Sequence, residues 1–299
     1  MLKTRNIIAN LLFVLLFAGV LMPSVAGTAN AAVFLAVLAV AHAGFLAAMI
    51  RGKSAAGADI AVMVYALLLV WEITTAKLGL FNQIMFPPPE NVFDVFRTHI
   101  HLLAAGFAAS MLRLMIGFGG AVAAAVILGI LIGWVPALKN SLFPIVKVLT
   151  PIPPLVYISY VIGIMPSFRS AAVFVIFLGV FLPNLIGIIS AVGGIDKNVI
   201  DSAKSLNVNR FTMLYRILLP YMIPAIVNNL SISVTFAFMT LTVAEMIGST
   251  TGMGYFVTRF ATYGNYTYVL TGIVLIGATI TLLNVLINIV KQKMIRWVE

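Results

Sequence analysis

The sequence predicts an all-α polytopic membrane protein, and two observations support that prediction. The chain has 299 residues and a mean hydropathy of +1.13, with 62% hydrophobic and only 9% charged residues. Apolar runs of about 20 residues recur along the whole chain, which is the length that a helix needs to cross the hydrocarbon core. A β-barrel would show short alternating segments instead of these continuous runs.

Eight apolar runs are long enough to be membrane spans. Lys3 and Arg5, the first run and the segment SVAGTANAA together imitate a secretory signal peptide. A second long run follows at once, so we interpret the first run as an uncleaved helix. The predicted spans are residues 6–24, 31–50, 59–80, 104–134, 141–164, 170–192, 220–248 and 267–290.

Lysine and arginine residues predict the orientation of these spans, because cytoplasmic loops carry an excess of both. With both termini in the cytoplasm, the outer side receives only Lys77, Arg97, Arg169 and Arg259. We therefore expect residues 194–219 to form a cytoplasmic loop, and we attribute the net charge of +10 to topology rather than to nucleic-acid binding. The basic residues on the cytoplasmic side are Lys3, Arg5, Arg51, Lys53, Lys139, Lys147, Lys197, Lys204, Arg210, Arg216, Lys291, Lys293 and Arg296.

Signatures of enzymes and metal sites are scarce. The chain has no cysteine, which excludes thiol catalysis and thiolate metal sites. The fragment GKS at 52–54 resembles the end of a phosphate-binding loop, but Ala47 stands where that motif needs its first glycine. His42 lies in an apolar span, where a lone histidine is typical of helix packing. We expect no catalytic residue, no metal site and no cofactor bound by this chain.

The segment NQIMFPPPENVFDVFRTHIH (82–101) predicts an outer loop followed by a short amphipathic helix. Three prolines precede the apolar residues Val92, Phe93 and Phe96, and Glu90 lies near the helix start. Such a helix is expected to lie on the membrane surface.

The segment VLTPIPPLVYIS (148–159) places Pro151, Pro153 and Pro154 inside the fifth predicted span. Each proline removes a backbone donor, so the cluster predicts a broken helix. Broken backbone at membrane depth is tolerated where it is buried in protein or lines a cavity. The alternative is a simple kink in a packed helix.

Of the ionisable residues within predicted spans, Arg113 and Glu245 carry the most weight. Arg113 is early in the fourth span and Glu245 is near the outer end of the seventh. A charge in the hydrocarbon region costs about 3 kcal/mol even on lenient scales, so each should face the bundle interior or water. Both lie nearer the outer face, so they could pair. Two interpretations stay open, an interhelical tie and a polar element of a solute path.

The segment DSAKSLNVNRFTMLYRILLP (201–220) is unusually polar for this chain. Asp201 and Ser202 are suited to cap a helix start, and Asn207 tolerates the left-handed conformation that lets two short helices meet. Pro220 and Pro224 would begin the next span. The segment therefore predicts a cytoplasmic helix–turn–helix, although a solvated linker is the alternative. Its apolar face would comprise Ala203, Leu206, Phe211, Leu214 and Ile217, with Lys204 and Arg210 on the rim.

These residues resemble the permease subunits of ATP-binding-cassette (ABC) importers, whose cytoplasmic "EAA" loop reads Glu-Ala-Ala, three residues, Gly and an apolar run ending in Leu-Pro. Further blocks agree in order, and the set is most similar to the nitrate, sulfonate and taurine branch. The resemblance covers roughly residues 60–299. The agreeing blocks are FPPPENVF (86–93), SMLRLMIGF (110–118), LFPIVKVLTPIPPLVYIS (142–159), AEMIGSTTGMGYFV (244–257) and Trp297.

The resemblance implies a six-span type I importer core at 59–299 in a prokaryotic inner membrane, preceded by two additional helices in 1–58. It implies a pore made with a second permease copy, most simply as a homodimer, and a periplasmic or lipid-anchored solute-binding protein. A separate ATPase subunit would use ATP and Mg²⁺ and would receive the loop in a groove. The implied coupling residues are Asp201, Ser202, Ala203, Leu206, Asn207, Arg210 and Phe211, with Ala203 and Leu206 facing the ATPase. The candidate path residues are Pro151, Pro153, Pro154, Tyr157, Glu245 and Arg113.

The loop departs from the family pattern at three positions, where Asp201, Ser202 and Asn207 replace the glutamate, the first alanine and the glycine. Each replacement keeps the physical role of the residue, so docking is expected to be retained. An autonomous secondary transporter, with Glu245 and Arg113 as coupling charges, is the alternative function. An integral membrane enzyme is disfavoured because a catalytic set is missing. The substrate and the role of the first two helices do not follow from the sequence.

Overall fold

The computed structural model of the chain describes residues 2–25, 27–50 and 55–294. Within these ranges the regular secondary structure is helical throughout, as the sequence predicts. Two π-helical segments, Ile73–Lys77 and Met213–Leu218, accompany the α-helices. The α-helices are α1 (Leu2–Leu21), α2 (Ala32–Ile50), α3 (Ala55–Glu72), α4 (Pro89–Thr98), α5 (Ile100–Trp134), α6 (Pro136–Leu149), α7 (Pro154–Ile164), α8 (Phe168–Gly193), α9 (Lys197–Ser205), α10 (Arg210–Thr212), α11 (Leu219–Gly248), α12 (Met253–Thr262) and α13 (Tyr266–Met294).

Seven helices in the described ranges are long and apolar enough to cross a membrane, and a bent pair makes eight if it counts as one span. They correspond in order to the eight predicted spans. The bent pair, α6 and α7, stands where the sequence predicts the span 141–164, and its two helices meet at 96°. Pro154 occupies the first turn of α7, where its missing N–H is not needed. The predicted broken helix is therefore confirmed, and the break is too sharp for a simple kink.

One compact unit comprises Met1–Ala104 and Phe256–Val274. In this unit α1 packs along α3. His42 of α2 stacks on Phe13 with 3.7 Å between ring centroids, and its Nδ1 lies 3.3 Å from the Tyr65 hydroxyl. These contacts confirm that His42 packs between helices. The buried core of the N-terminal helices consists of Leu16, Val20, Phe34, Leu38 and Tyr65.

Helix α4 is the predicted amphipathic helix, but its apolar face does not lie free on a surface. Val92 is buried, and the ring of Phe93 stacks on Phe34 of α2 at 5.0 Å. The Ala29 amide donates a 2.6 Å hydrogen bond to the side chain of Asn91. The part of the apolar face that carries Val92 and Phe93 is therefore packed within the protein, whereas the sequence predicts that it faces the membrane.

The division between the compact units also differs from the predicted boundary at residue 58. Helices α3 and α4 belong with α1 and α2, because α1 packs along α3 and α4 packs against α2. The first two helices thus share a core with the start of the segment that resembles the importer core.

The second compact unit comprises Ala105–Tyr255 and Leu275–Glu299. Helix α8 lies at its centre, with 11 of its 26 residues buried, and packs against α6, α7 and α11. Helix α5 approaches α8 closely, since a Cβ atom at Gly129 would lie 2.7 Å from Ile188 and one at Gly133 would lie 2.8 Å from Val192. Small residues of this kind allow helices to pack closely in membranes.

Candidate functional site

The polar loop begins with α9, which starts earlier than the sequence predicts. Asp196 accepts a 2.9 Å hydrogen bond from the Asn198 amide, and α9 follows as Lys197–Ser205. Asp201 and Ser202 therefore lie inside the helix, where both are exposed. The prediction that they cap the helix start is wrong, because Asp196 supplies that carboxylate five residues earlier.

The turn after α9 confirms the prediction for Asn207. Its φ angle is 51°, the left-handed conformation that asparagine tolerates better than most residues. The Val208 amide then donates to the carbonyl of Ala203 at 3.2 Å, which ties the turn to the end of α9. The side chain of Asn209 accepts a 2.7 Å hydrogen bond from the Thr212 amide and so begins α10.

The helical path after the turn runs into α11 without a break. The π-helical segment Met213–Leu218 joins α10 to α11, and the Leu219 amide donates to the carbonyl of Leu214. Pro220 has no N–H to donate, which favours such a local widening of the helix. The prediction that these prolines begin the span is confirmed for Pro220, which lies in the first turn of α11, and wrong for Pro224, which lies inside that helix.

The loop presents a different apolar surface from the one expected. Leu206 is 79% exposed, and Phe211 is exposed with its ring 4.4 Å from that of Tyr215. Ala203 is only 5% exposed and packs in a core with Met213 and neighbouring residues. The expectation that Ala203 faces a partner is therefore wrong, because the π-helical segment covers it. The side chains of Lys204 and Arg210 lie outside the described part of the chain.

A groove of about 480 Å³ borders Leu206 on the same loop. Its lining is mostly apolar and comes from α9, the turn and the π-helical segment. The lining residues are Asn198, Val199, Ser202, Ala203, Leu206, Val208 and Ile217.

The broken helix borders a cavity of about 440 Å³ in the second compact unit. Pro154 lies against α8, where a Cβ atom at Gly179 would be 3.2 Å from its ring. The described lining carries no charged side chain. It consists of residues 150–155, Ile158, Pro183, Phe236, Met239, Thr240 and Val243.

The cavity includes some of the candidate path residues and omits others. Pro151, Pro153 and Pro154 line it, as their place in a broken helix suggested. Tyr157 is half-buried and packs against a neighbouring core instead. Phe236, Met239 and Thr240 of α11 were not singled out from the sequence, because their spacing resembles that of any apolar helix.

Glu245 and Arg113 form a buried ion pair with 2.7 Å between Oε1 and Nη1. Glu245 is 1% exposed and also accepts hydrogen bonds from the Ser110 hydroxyl at 2.8 Å and the Gly254 amide at 3.0 Å. Arg113 donates to the carbonyl of Thr251 at 2.9 Å and to its hydroxyl at 2.6 Å. These contacts tie α5, α11 and the segment 249–254 together, so the predicted pairing is confirmed.

The pair does not line the cavity beside the broken helix. Of the two open interpretations, the geometry thus supports the interhelical tie. The motifs SMLRLMIGF and AEMIGSTTGMGYFV, which are separate blocks in the sequence, are brought together by these hydrogen bonds. In the described ranges no three His, Cys, Asp or Glu side chains are grouped so that they could hold a metal ion.

Solved structures share the fold of this chain. The MetNI methionine ABC transporter in an inward-facing conformation, in its CY5 native crystal form, matches with a TM-score of 0.51 and 18% identity over 67% of this chain and 95% of the other. A second crystal form of the same transporter, the CY5 SeMet soak form, matches with a TM-score of 0.53 and 18% identity over 69% and 98%. These matches identify the type I importer permease fold.

Curated relatives are similar over most of the chain. The taurine transport system permease protein TauC of Escherichia coli K12 is 28% identical over 238 residues, covering 77% of this chain and 86% of its own. The nitrate import permease protein NrtB of Leptolyngbya laminosa is 29% identical over 63% and 67%. The putative aliphatic sulfonates transport permease protein SsuC of Bacillus subtilis 168 is 22% identical over 77% and 84%.

A family model describes the segment in which the loop, the cavity and Glu245 lie. The model for binding-protein-dependent transport system inner membrane components matches residues 121–298, which is more than half of the chain. The same family excludes the alternative of an autonomous secondary transporter. The chain therefore belongs to the family of binding-protein-dependent transport system inner membrane components, as the multi-pass permease subunit of an ABC importer.

Proposed function

We propose that this permease imports a small solute of the taurine, sulfonate or nitrate type, delivered by a periplasmic or lipid-anchored binding protein. The match of the family model over residues 121–298, together with the names of TauC, NrtB and SsuC, carries the proposal. Two copies of the chain form the pore, and a separate ATPase subunit supplies the energy from ATP and Mg²⁺. This chain binds no cofactor of its own.

The coupling surface in this proposal is the exposed turn between α9 and α10. Leu206 and Phe211 are the large apolar side chains that it offers to solvent. Buried apolar anchors dominate the binding energy of most protein interfaces, so these two residues are the contacts with the ATPase. Ala203 supports the turn from inside and does not touch the partner. Asp201 and Ser202 lie on the exposed side of α9, next to the contact.

The cavity beside the broken helix is a part of the solute path in this proposal. Its volume of about 440 Å³ is within the usual range for small-molecule sites, roughly 300–1,000 Å³. The hydroxyl groups of Thr150 and Thr240 are polar contacts within an apolar lining. Such a lining suits the carbon chain of an organic solute. Because the described lining carries no charged side chain, it would not hold an ionic solute tightly during transport. Glu245 and Arg113 hold the surrounding helices and do not contact the solute.

Replacement of Leu206 by glutamate tests the coupling surface. A charged side chain at an apolar contact should weaken binding of the ATPase at least about tenfold, because an interface anchor is worth about 2 kcal/mol or more. Since Leu206 is exposed, the variant should keep the thermal stability of the parent permease. Co-purification of the ATPase and substrate-stimulated ATP hydrolysis in proteoliposomes are the two measurements.

Tyr263→Ser is the matched control, because Tyr263 is a similarly exposed large residue in the turn between α12 and α13. It should leave both measurements unchanged. Normal ATPase binding by a stable Leu206→Glu variant would rule out this turn as the coupling surface.

A further inference from the structure

Two carboxylates meet inside the first compact unit, which contains neither the proposed path nor the coupling surface. Glu72 is the last residue of α3, and Glu90 is the second residue of α4. Glu72 is 0% exposed and Glu90 is 1% exposed, helices α3 and α4 are in contact, and Glu72 is close enough to act electrostatically on Glu90. Acidic residues are almost never buried so completely unless they are paired.

Among the described residues, Lys77 is the cation that accompanies these two acids. Lys77 Nζ lies 3.1 Å from Glu72 Oε1, and it donates hydrogen bonds of 2.8 Å to the carbonyl of Met22 and to the hydroxyl of Ser24. Glu72 and Lys77 are the charged groups that act on Glu90 from the elements packed against it. If both acids were ionised, the cluster would hold one uncompensated negative charge in a buried site, which is energetically costly.

The hydrogen-bond pattern indicates what is missing. Glu90 Oε2 and both carboxylate oxygens of Glu72 are buried without a hydrogen-bond partner in the described structure, and Glu72 Oε1 has only the ion-pair contact with Lys77. Two carboxylates cannot bond to each other, since both only accept hydrogen bonds. A protonated carboxylic acid can form a hydrogen bond to a neighbouring carboxylate, because it has an O–H group that donates. One proton would therefore satisfy an oxygen on each residue and remove the excess charge.

We propose that Glu72 and Glu90 form a binding site for one proton, which they share. A metal cation is a poorer occupant, because the Lys77 ammonium group beside Glu72 would repel it. In addition, the described ranges offer no third His, Cys, Asp or Glu ligand at the site. The proposal concerns the joint between the N-terminal helices and α4, and it does not depend on the transported solute.

The electrostatics of Glu90 agree with this arrangement. Burial, together with the neighbouring charge of Glu72, raises the pKa of Glu90 to about 7 from its ordinary value of 4.5, although its own backbone amide and Lys77 act in the opposite direction. Because the folded protein then binds a proton that the unfolded chain has already released, folding stability decreases as the pH rises from about 4.5 to about 7. Above that range the group is ionised in both states, and its contribution no longer changes.

The site lies where three chain segments are joined. Lys77 holds the end of the connection after α1 through Met22 and Ser24, and the Val25 amide donates to the carbonyl of Ala76 at 3.0 Å. Glu90 anchors the first turn of α4 in the same joint. Loss of the proton leaves a buried charge at this point. The contacts between the three segments should therefore be more stable at low pH than at high pH.

Infrared titration of the full chain in lipid nanodiscs tests the proposal. A protonated carboxyl group gives a C=O stretch well separated from the carboxylate bands. The wild type should show such a band that disappears with a midpoint about pH 7. The band should be absent in Glu90→Gln. In Glu72→Gln its midpoint should shift to lower pH, since Glu90 then has no acidic neighbour and is left with Lys77.

Asp94→Asn is the matched control, because Asp94 is a carboxylate on the same helix whose ion-pair partner is Arg97. It should keep the band and its midpoint. Thermal unfolding gives a second readout: the melting temperature of the wild type should fall between pH 5 and pH 8, and Glu90→Gln should abolish this dependence. A wild type without a titrating band near neutral pH, or a band that survives in Glu90→Gln, would overturn the proposal.

Discussion

At the residue scale, the buried ion pair of Glu245 and Arg113 joins α5 to α11, and its hydrogen bonds hold the segment 249–254 beside them. A charge in the membrane is costly, which draws attention to both residues. Their positions in the predicted spans put them at a similar depth, so a pair is predicted. The sequence does not indicate that Ser110, Thr251 and the Gly254 amide complete the arrangement, because hydroxyl and amide groups are too common to point to one partner. The contacts of Ser110 and Thr251 depend on a fold that brings together residues 135 and 138 positions apart.

Removing one member of this pair should be more harmful than removing both. Glu245→Gln or Arg113→Gln leaves an uncompensated buried charge, which costs about 3–5 kcal/mol. The double variant should recover part of that loss. Thermal unfolding of the purified permease measures the effect, and Arg97→Gln, at an exposed ion pair, is the control with little change. Strictly additive losses would show that the two charges do not act as a pair.

A substitution at Gly252, in the same hydrogen-bond network, gives a second prediction. Its φ angle is +121°, and a Cβ atom there would overlap the carboxylate of Glu245. Gly252→Ala should therefore destabilise the permease by more than the ~1–3 kcal/mol of backbone strain alone. The control is Gly277→Ala in α13, where a Cβ atom would meet no other group within 4 Å. That variant should be neutral or more stable by up to about 1 kcal/mol, because alanine favours a helix.

Equal melting temperatures for Gly252→Ala and Gly277→Ala would contradict this account of the segment 249–254. A loss in Gly252→Ala alone would support it.

At the scale of elements, the loop was predicted in outline and corrected in detail. Asn207 was identified because few residues accept a left-handed conformation, which is a local property. Ala203 was placed on the wrong face because its burial depends on the π-helical segment that folds over it, and the sequence predicts a plain helix there. The predicted helix caps are wrong for a similar reason. Asp196, Asp201 and Ser202 are all suitable capping residues, and only the fold selects among them.

Substitutions at Asn207 test the turn between α9 and α10. Glycine adopts the left-handed conformation without steric cost, so Asn207→Gly should preserve ATPase binding and transport. Valine resists this conformation by about 1–2 kcal/mol, so Asn207→Val should weaken both. Substrate-stimulated ATP hydrolysis in proteoliposomes, compared at equal permease content, is the measurement. If valine and glycine were equally tolerated, the shape of the turn would not matter for coupling.

At the scale of the whole molecule, hydropathy was sufficient to predict all eight spans, and the proline cluster predicted the break in the fifth. Hydropathy counts apolar residues along the chain, and in a membrane those residues are required whether or not they contact other helices. It could not predict that α3 and α4 share a core with α1 and α2, because packing between helices is decided by shape rather than by hydrophobicity. The proximity of the buried acids Glu72 and Glu90 could not be predicted for the same reason, since Glu72 lies in the third predicted span and Glu90 at the start of the amphipathic helix that follows it.

The orientation of the whole chain in the membrane makes the last prediction. The distribution of lysine and arginine predicts that the segment 194–219 lies in the cytoplasm and the turn around Tyr263 outside. Because the chain has no cysteine, single cysteines can be introduced without background. Ser205→Cys and Tyr263→Cys put thiols at two exposed positions of these segments. An impermeant maleimide added to intact cells should label the second variant and should label the first only after the cells are opened. Labelling of Ser205→Cys in intact cells would show that the predicted orientation is wrong. The turn between α9 and α10 could then not contact a cytoplasmic ATPase.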